Sequence, residues 1–527
     1  MAQMSSPSPA RWAIALGGAL CWGVAAWVLW QAVAWNSDFL HDDAYITLRY
    51  AQNWLAGNGI SWNPGDRVEG YTNFLQLVLV GGLGAAGVGL VDATRVVAGA
   101  AWLGLLGFGL LRATREPAVF GSIPVVVTAA SIPLVAWCFG GLEAPLVAVL
   151  LTLAVVWMQD ALRGDPEAAR SRLIASGVAH GLACLARLDA GIFVVVGLVF
   201  LLHSVSGRAR ARVLLAFLGP VLLLLVPWLA WKWIYYGSLL PNTWYVKAAG
   251  PSAWRIAAGG RYLLDFVFAP PFPLIWLLLG AIRAGVARRL TRADGFALAG
   301  VGLSLCWVLY IGGDQMPAHR LLVPLIPVSA WAALAVWRED LARCGNLTAV
   351  GLAVAISGSL LLQLTWPGLA GPHRNSTSFV GEAVGRHIGT HFRPGSLVAL
   401  NTAGSTPFYA PELRYLDMLG LNDAKIARRE ISDLRLPAQR LPGHAKGDGA
   451  YVLTQRPDYL ILGPAGGVSR AYPWFLSDLE ISENPVFSRD YRLRVEAIDV
   501  RGMSGWQDYP ETASGVLRFS FYERERR

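Results

Sequence analysis

This sequence predicts an α-helical multispanning membrane protein with a soluble α/β domain at its C-terminal end, on three observations. Of its 527 residues, 54% are hydrophobic and 15% are charged. Soluble globular chains carry roughly 25% charged residues, so there is too little polar surface here to solvate a water-soluble body of this size. Mean hydropathy is +0.44, and apolar runs recur as far as about residue 366, after which the chain turns polar. The 22 Trp, 57 Gly and 30 Pro are residues that membrane helices tolerate or place at the interface. Disorder, collagen and a disulfide scaffold are excluded. The five cysteines (Cys21, Cys138, Cys184, Cys306 and Cys344) all precede the polar part, which therefore has no internal disulfide.

Taken in order, the apolar runs predict spans near 12–35, 96–111, 119–137, 144–159, 173–187, 189–205, 213–235, 262–282, 296–311, 321–337 and 347–366, judged against the roughly 20 residues that cross a bilayer. The net charge of +9 reads as a topology signal and not as a nucleic-acid patch. Arginine clusters such as Arg208, Arg210 and Arg212, or Arg283, Arg288, Arg289 and Arg292, recur between apolar runs, as the positive-inside bias requires. Placing every such loop inside gives eleven spans with the N-terminus inside and the C-terminal domain outside. That scheme holds if the glycine-rich run 74–90 does not cross, so it is read as a re-entrant or interfacial part of the loop before it. The first apolar run is too long for a cleavable leader and lacks a small-residue cleavage site, so it reads as a signal anchor. The Ser/Pro-rich first ten residues are expected as a disordered tail. Residues 1–366 thus form a transmembrane domain with a first outer loop at 36–95, and 367–527 an extracytoplasmic domain. In the latter a helix is expected over 376–391 and strands near 396–400, 458–462 and 516–521.

The arginine-poor loops carry the chemistry. The first runs His41-Asp42-Asp43-Ala44-Tyr45-Ile46-Thr47-Leu48-Arg49-Tyr50 and on through Asn63-Pro64-Gly65 to Glu69-Gly70-Tyr71-Thr72-Asn73. Two adjacent carboxylates at the mouth of a span are costly unless something offsets them. Side by side, one has its pKa raised and suits a general base. The pair can also hold a divalent cation or cap the following helix. Three other outer turns carry Phe139-Gly140-Gly141-Leu142-Glu143, Arg187-Leu188-Asp189 and Gly312-Gly313-Asp314 through His319-Arg320. A further loop ends at Lys247, one of four lysines with Lys232, Lys425 and Lys446. An outer Lys247 and Arg320 invite an anion, a phosphate at the membrane surface above all; the plain reading is snorkelling toward lipid phosphates. No histidine joins other ligands at metal-binding spacing, so no zinc is expected. Acids on one loop and cations on two others, beneath a soluble lid, suit an enzyme that transfers the head group of a polyprenyl-phosphate donor. Lys247 and Arg320 would stabilise the departing phosphate and an Asp would take the acceptor hydroxyl's proton. Spacing leaves inverting and retaining courses both open.

At these residues the chain resembles a known family. Asp42–Arg49, Asn63-Pro64-Gly65 with Glu69–Asn73, Leu240-Pro241-Asn242-Thr243 with Lys247, and Gly312-Gly313-Asp314 with His319-Arg320 are similar to GT-C-fold membrane glycosyltransferases that use polyprenyl-phosphate sugars. Within that class the chain resembles the terminal β-(1→2)-arabinofuranosyltransferases; Asp417–Asp423 and Gly443–Gly449 look like their outer domain. The resemblance implies a GT-C-like fold and catalysis at Asp42 or Asp43. It implies donor-phosphate binding at Lys247, Arg320 and His319, with Tyr45, Arg49, Glu69, Asn73, Asn242, Asp314, Arg187 and Asp189 as supporting contacts. It also implies a lipid-linked sugar donor, arabinofuranose first, a cell-envelope glycan acceptor, and a bacterial inner membrane setting. No cofactor is required, with a divalent cation at Asp42 and Asp43 left open. Phe408, Tyr409 and Tyr415 either stack on acceptor sugars or form the outer domain's core. The alternatives are a lipid-linked hexose transferase acting on glycan or protein, and a lipid-linked sugar transporter. The transporter expects charges at mid-membrane and inverted repeats, and no repeat is evident.

Overall fold

A computed structural model describes residues 9–116, 118–247 and 252–525. The expected N-terminal tail lies outside the described residues up to Pro9, where the first helix, Pro9–Asn36, begins. Among the described residues five helices are long and apolar enough to cross a membrane: Ala15–Asn36, Leu90–Ala113, Ala144–Arg163, Gly207–Tyr236 and Arg292–Ile311. Shorter helices at Arg170–Ala186, Gly191–Ser204, Pro273–Val286, Leu325–Ala342 and Asn346–Leu362 pack among them. Large apolar side chains point outward on this bundle, Leu223 at 76% and Ile234 at 78% exposure, a surface that hydrocarbon covers and water does not.

Proline sets two departures from the expected spans. The run 119–137 is divided into Ala118–Gly121, Ile123–Ala129 and Ile132–Phe139, with Pro124 and Pro133 opening the last two pieces. The run 262–282 is not one continuous helix but parts of two, Ser252–Val267 and Pro273–Val286. Pro270, Pro271 and Pro273 withhold the N–H donors that a continuous helix needs there. The segment 74–90 forms a helix of 12 residues, Phe74–Ala85. That is about 18 Å of rise against a hydrocarbon core of about 30 Å. Gly87, at φ 92°, turns the chain back into Leu90–Ala113.

Ala144–Arg163 is the buried centre of the bundle, packed on Arg170–Ala186, Leu90–Ala113, Arg292–Ile311 and Leu325–Ala342. Its C-terminal end joins an arginine-rich face. There Arg112 grips Asp160 with two 2.7 Å bonds, while Arg283 and Arg289 share Asp340 at 2.8 and 2.9 Å. The opposite face carries the C-terminal domain.

That domain is built on a mixed five-stranded sheet: β1 (Leu397–Leu400), β2 (Arg414–Asp417), β3 (Tyr459–Ile461), β4 (Tyr491–Asp499) and β5 (Val516–Arg524), in the order β2-β1-β3-β5-β4. The first three are parallel, with Val398 opposite both Tyr415 and Tyr459; β5 runs antiparallel to β3 and β4. The helix Ser376–His391 has Asn375 as its N-cap, whose side chain accepts from Ser378 N–H at 2.7 Å. The sheet sits directly on the first loop. Trp62 Nε1 donates to the Ala403 carbonyl (3.1 Å), and Asn63 exchanges two bonds with the Tyr415 backbone (2.8 and 3.0 Å). Trp62 and Tyr71 share one apolar cluster with Val398, Tyr415 and Phe519.

Candidate active site

Asp42 and Asp43 open the helix Asp42–Leu55, which His41 caps by accepting the Asp43 N–H on Nδ1 at 3.2 Å. One residue along a helix is about 100° of rotation, so the two carboxylates part company. Asp42 is buried and turns into the C-terminal domain. Its Oδ1 accepts the Ser405 N–H at 2.8 Å and the Ser405 hydroxyl at 2.6 Å. The approach is so close that a Cβ on Gly404 would come within 2.0 Å of the Asp42 carbonyl oxygen. Asp43 keeps 36% side-chain exposure, and its charge bears on Lys247 and Arg320. Asp42 is therefore a strut and Asp43 faces the open side. Asp42 Oδ1 is already bonded to Ser405; among the described residues no three His, Cys, Asp or Glu are grouped to hold a metal ion.

The strut is testable. Asp42→Ala leaves the buried Ser405 N–H without an acceptor, and should cost about 1–3 kcal/mol, read as a lower unfolding temperature. Burial pushes the Asp42 carboxyl up to about 6 from 3.8. A folded pKa above the unfolded one means that the native state holds a proton which the unfolded chain releases earlier. Stability from this group therefore falls as pH rises from about 4 to about 6, and Asp42→Asn should flatten that part of the stability–pH curve.

Beside Asp43 lies a cavity of about 140 Å³ lined by Glu69, Glu143, Arg187, Asp189, Lys232, Lys247, Asp314 and Arg320. Ion pairs fix most of these groups. Arg187 donates to both Asp189 oxygens (3.0 and 2.7 Å) and to Glu143 (3.3 Å). Arg320 Nε donates to Asp314 at 2.7 Å, and the guanidinium lies 4.0 Å from Glu143. Lys232, 1% exposed near the end of Gly207–Tyr236, meets Glu69 at 2.7 Å. Burial pushes the Glu69 carboxyl up to about 7 against the pull of Lys232. Lys247 ends the short helix Asn242–Lys247, and its ammonium has no hydrogen bond or ion pair among the described residues. Burial, and after it the neighbouring Arg320, lowers its pKa. Trp244 and Trp307, stacked at 5.7 Å, wall the same cavity. Pro442 closes it from the C-terminal domain, with His444 in the same loop 3.4 Å from Gln315.

The residues expected at the site thus separate into groups. Lys247, Arg320, Asp314, Glu69, Arg187 and Asp189 line the cavity, with Asp43 beside them. Asn73 stands behind it: its Oδ1 accepts from Thr47 (3.0 Å) and its amide donates to Glu143 (3.3 Å). Tyr45, Arg49 and Asn242 hold the C-terminal domain instead. Tyr45 meets the Tyr409 hydroxyl at 3.2 Å, Arg49 donates to the Trp62 and Pro411 carbonyls, and Asn242 to that of Gly420 at 2.7 Å. His319 faces away, into a second cavity across Asp314. Tyr415 lies in the C-terminal domain's apolar core, whereas Phe408 packs on Tyr45.

Glu143, Lys232 and His444 were not among the expected site residues. Lys232 carried a signal, an ionisable residue inside an apolar helix. Glu143 carried only its place after a Gly-Gly turn, where Gly141 adopts φ 80° with Leu40 and Ala44 pressed against it.

The chain has the GT-C fold of multispanning membrane glycosyltransferases. ArnT from Cupriavidus metallidurans bound to undecaprenyl phosphate superposes with a TM-score of 0.51 at 15% identity, over 75% of this chain and 85% of that one. Two curated homologues carry the name terminal β-(1→2)-arabinofuranosyltransferase. That of Mycobacterium tuberculosis is 28% identical over 400 residues, 66% of this chain and 61% of that protein. That of Corynebacterium glutamicum is 26% identical over 335 residues, 56% and 47% respectively. The chain thus spans less than two thirds of the length of these two relatives. Residues 372–513 match a family described as a domain of unknown function, DUF8728.

Proposed function

We propose that this chain is a bacterial inner-membrane glycosyltransferase of eleven spans that moves arabinofuranose from a polyprenyl-phosphate donor to an extracytoplasmic cell-envelope glycan. The observation that carries this reading is Lys247, a cation without a partner among the described residues in a walled cavity whose other cations are paired, with Asp43 beside it. A phosphate supplies the missing partner. Arg320 adds a second cation, and Asp314 and Glu143 hold its guanidinium in place. In the reaction the acceptor hydroxyl oxygen bonds to the anomeric carbon and the bond from that carbon to the phosphate oxygen breaks. The bonding pair leaves with the polyprenyl phosphate, whose growing charge Lys247 and Arg320 offset. The hydroxyl proton passes to Asp43. The names of the curated relatives support the sugar, and the lipid phosphate bound by ArnT supports the donor class.

The test incubates purified protein with synthetic polyprenyl-phosphoryl-arabinofuranose and a short arabinan. An elongated product is expected; folded protein that makes none overturns the arabinose assignment. Donor binding has a pH signature as well. Lys247 is cationic below its lowered pKa, so donor affinity should fall as pH rises through that value, earlier than an ordinary lysine dictates. Lys247→Arg should carry binding to higher pH, because a guanidinium stays charged beyond about pH 12. Lys247→Met should remove the pH dependence together with most of the affinity. Equal pH profiles for the wild type and the Lys247→Arg variant would exclude Lys247 as the phosphate ligand.

A further inference from the structure

The second cavity, about 990 Å³, opens at the junction of the helix Ser252–Val267, the turn 314–319 and the linker that leads from the bundle into the outer domain. Its volume is at the upper end of ligand sites, roughly 300–1,000 Å³. Its chemistry is the inverse of the first. Asp265 and Asp314 line it and neither Lys nor Arg does, so it repels a phosphate. Tyr262, Phe268 and Trp366 present rings along it, and Phe268 is 55% exposed although nothing polar requires it there. Aromatic faces beside carboxylates and an imidazole suit an uncharged polyol, whose C–H faces pack on rings while its hydroxyls donate to the acids.

The cavity also adjoins the reacting groups. Asp314 belongs to both cavities. The Pro317 carbonyl at its floor accepts from Trp137 Nε1 at 3.1 Å, and the Trp137 ring lies 6.0 Å from His41, the cap beneath Asp43. The turn that forms this wall puts two successive non-glycine residues, Ala318 (φ 53°) and His319 (φ 51°), in the left-handed region, at about 1–3 kcal/mol each. Strain of this kind persists where surrounding structure enforces it, commonly at ligand sites.

We infer that this second cavity is the acceptor cleft: it holds sugar residues of the glycan acceptor remote from the hydroxyl that reacts at Asp43. The inference rests on the transferase reading above and adds the location of its acceptor. The experiment uses the full chain in detergent with two arabinan acceptors, one minimal and one several residues longer, and the variants Asp265→Asn and Phe268→Ala. Each variant should raise KM for the long acceptor roughly tenfold while leaving kcat, donor KM and the minimal acceptor unchanged. Calorimetric titration of the long arabinan without donor should show binding to wild type that weakens by the same factor in both variants. This second readout separates the two readings. Binding that is lost in the variants, with no sugar transfer, keeps the cleft and overturns the arabinosyl donor. Transfer with unaltered long-acceptor KM in both variants, or a penalty equal for both acceptors, overturns the cleft and leaves the transferase standing. Failure of wild type to bind the arabinan also overturns it.

Discussion

Asp43→Asn should lower kcat by roughly 10²–10⁴-fold, the range a positioned general base contributes, with the fold unchanged. The side chain is more than a third exposed, and the bond that Asp43 gives to the helix cap uses its backbone N–H, which the asparagine retains. Donor affinity should hold or improve, because removing a negative charge near Lys247 and Arg320 strengthens their pull on a phosphate. Asp42→Asn should behave in the opposite way: its amide oxygen can still accept from Ser405, so turnover should stay close to wild type. Steady-state kinetics on the two variants checks both expectations. Full activity in Asp43→Asn would exclude it as the base, and collapse of kcat in folded Asp42→Asn would transfer that role to the buried carboxylate.

Lys232→Met should destabilise the protein by about 3–5 kcal/mol, the usual cost of leaving one member of a buried ion pair uncompensated. Lys232 and Glu69 are 1% and 5% exposed, and among the described residues Lys232 is the one ion-pair partner of Glu69. Removing both charges should recover most of the loss, because the penalty lies in the stranded carboxylate and not in the missing attraction. The pair holds the first loop to the end of Gly207–Tyr236, where the Glu69 carbonyl also accepts the Asn242 N–H at 2.8 Å. Lys232→Met should therefore weaken donor binding through Lys247, at the far end of the short helix that Asn242 opens, and Glu69→Gln with Lys232→Met should restore it. Thermal unfolding of the single and double variants, with donor titrations alongside, measures the coupling. Additive losses would exclude it.

The class of protein was written in the sequence, because hydrophobic composition and run length report directly on the solvent around a helix. The helix at 376–391 and three strand positions were legible for the same reason: local periodicity encodes them. The loops carrying chemistry were legible too, since charged residues at the ends of apolar runs need a use. Strands β2 and β4 were not. Leu493 and Val495 on β4 are exposed, so that edge strand carries little alternation, and β2, at the other edge, begins and ends on charged residues, Arg414 and Asp417. Tertiary structure alone settled which aspartate is bonded to the C-terminal domain and which keeps its exposure. That choice depends on Ser405, 363 positions away, and no local pattern records such a partner. The same holds for Tyr45, Arg49 and Asn242, which share the motif with the cavity residues but bind the C-terminal domain. A conspicuous motif marks a place where many constraints meet. Only the packing of distant segments separates the side chains that face the ligand from those that hold the walls.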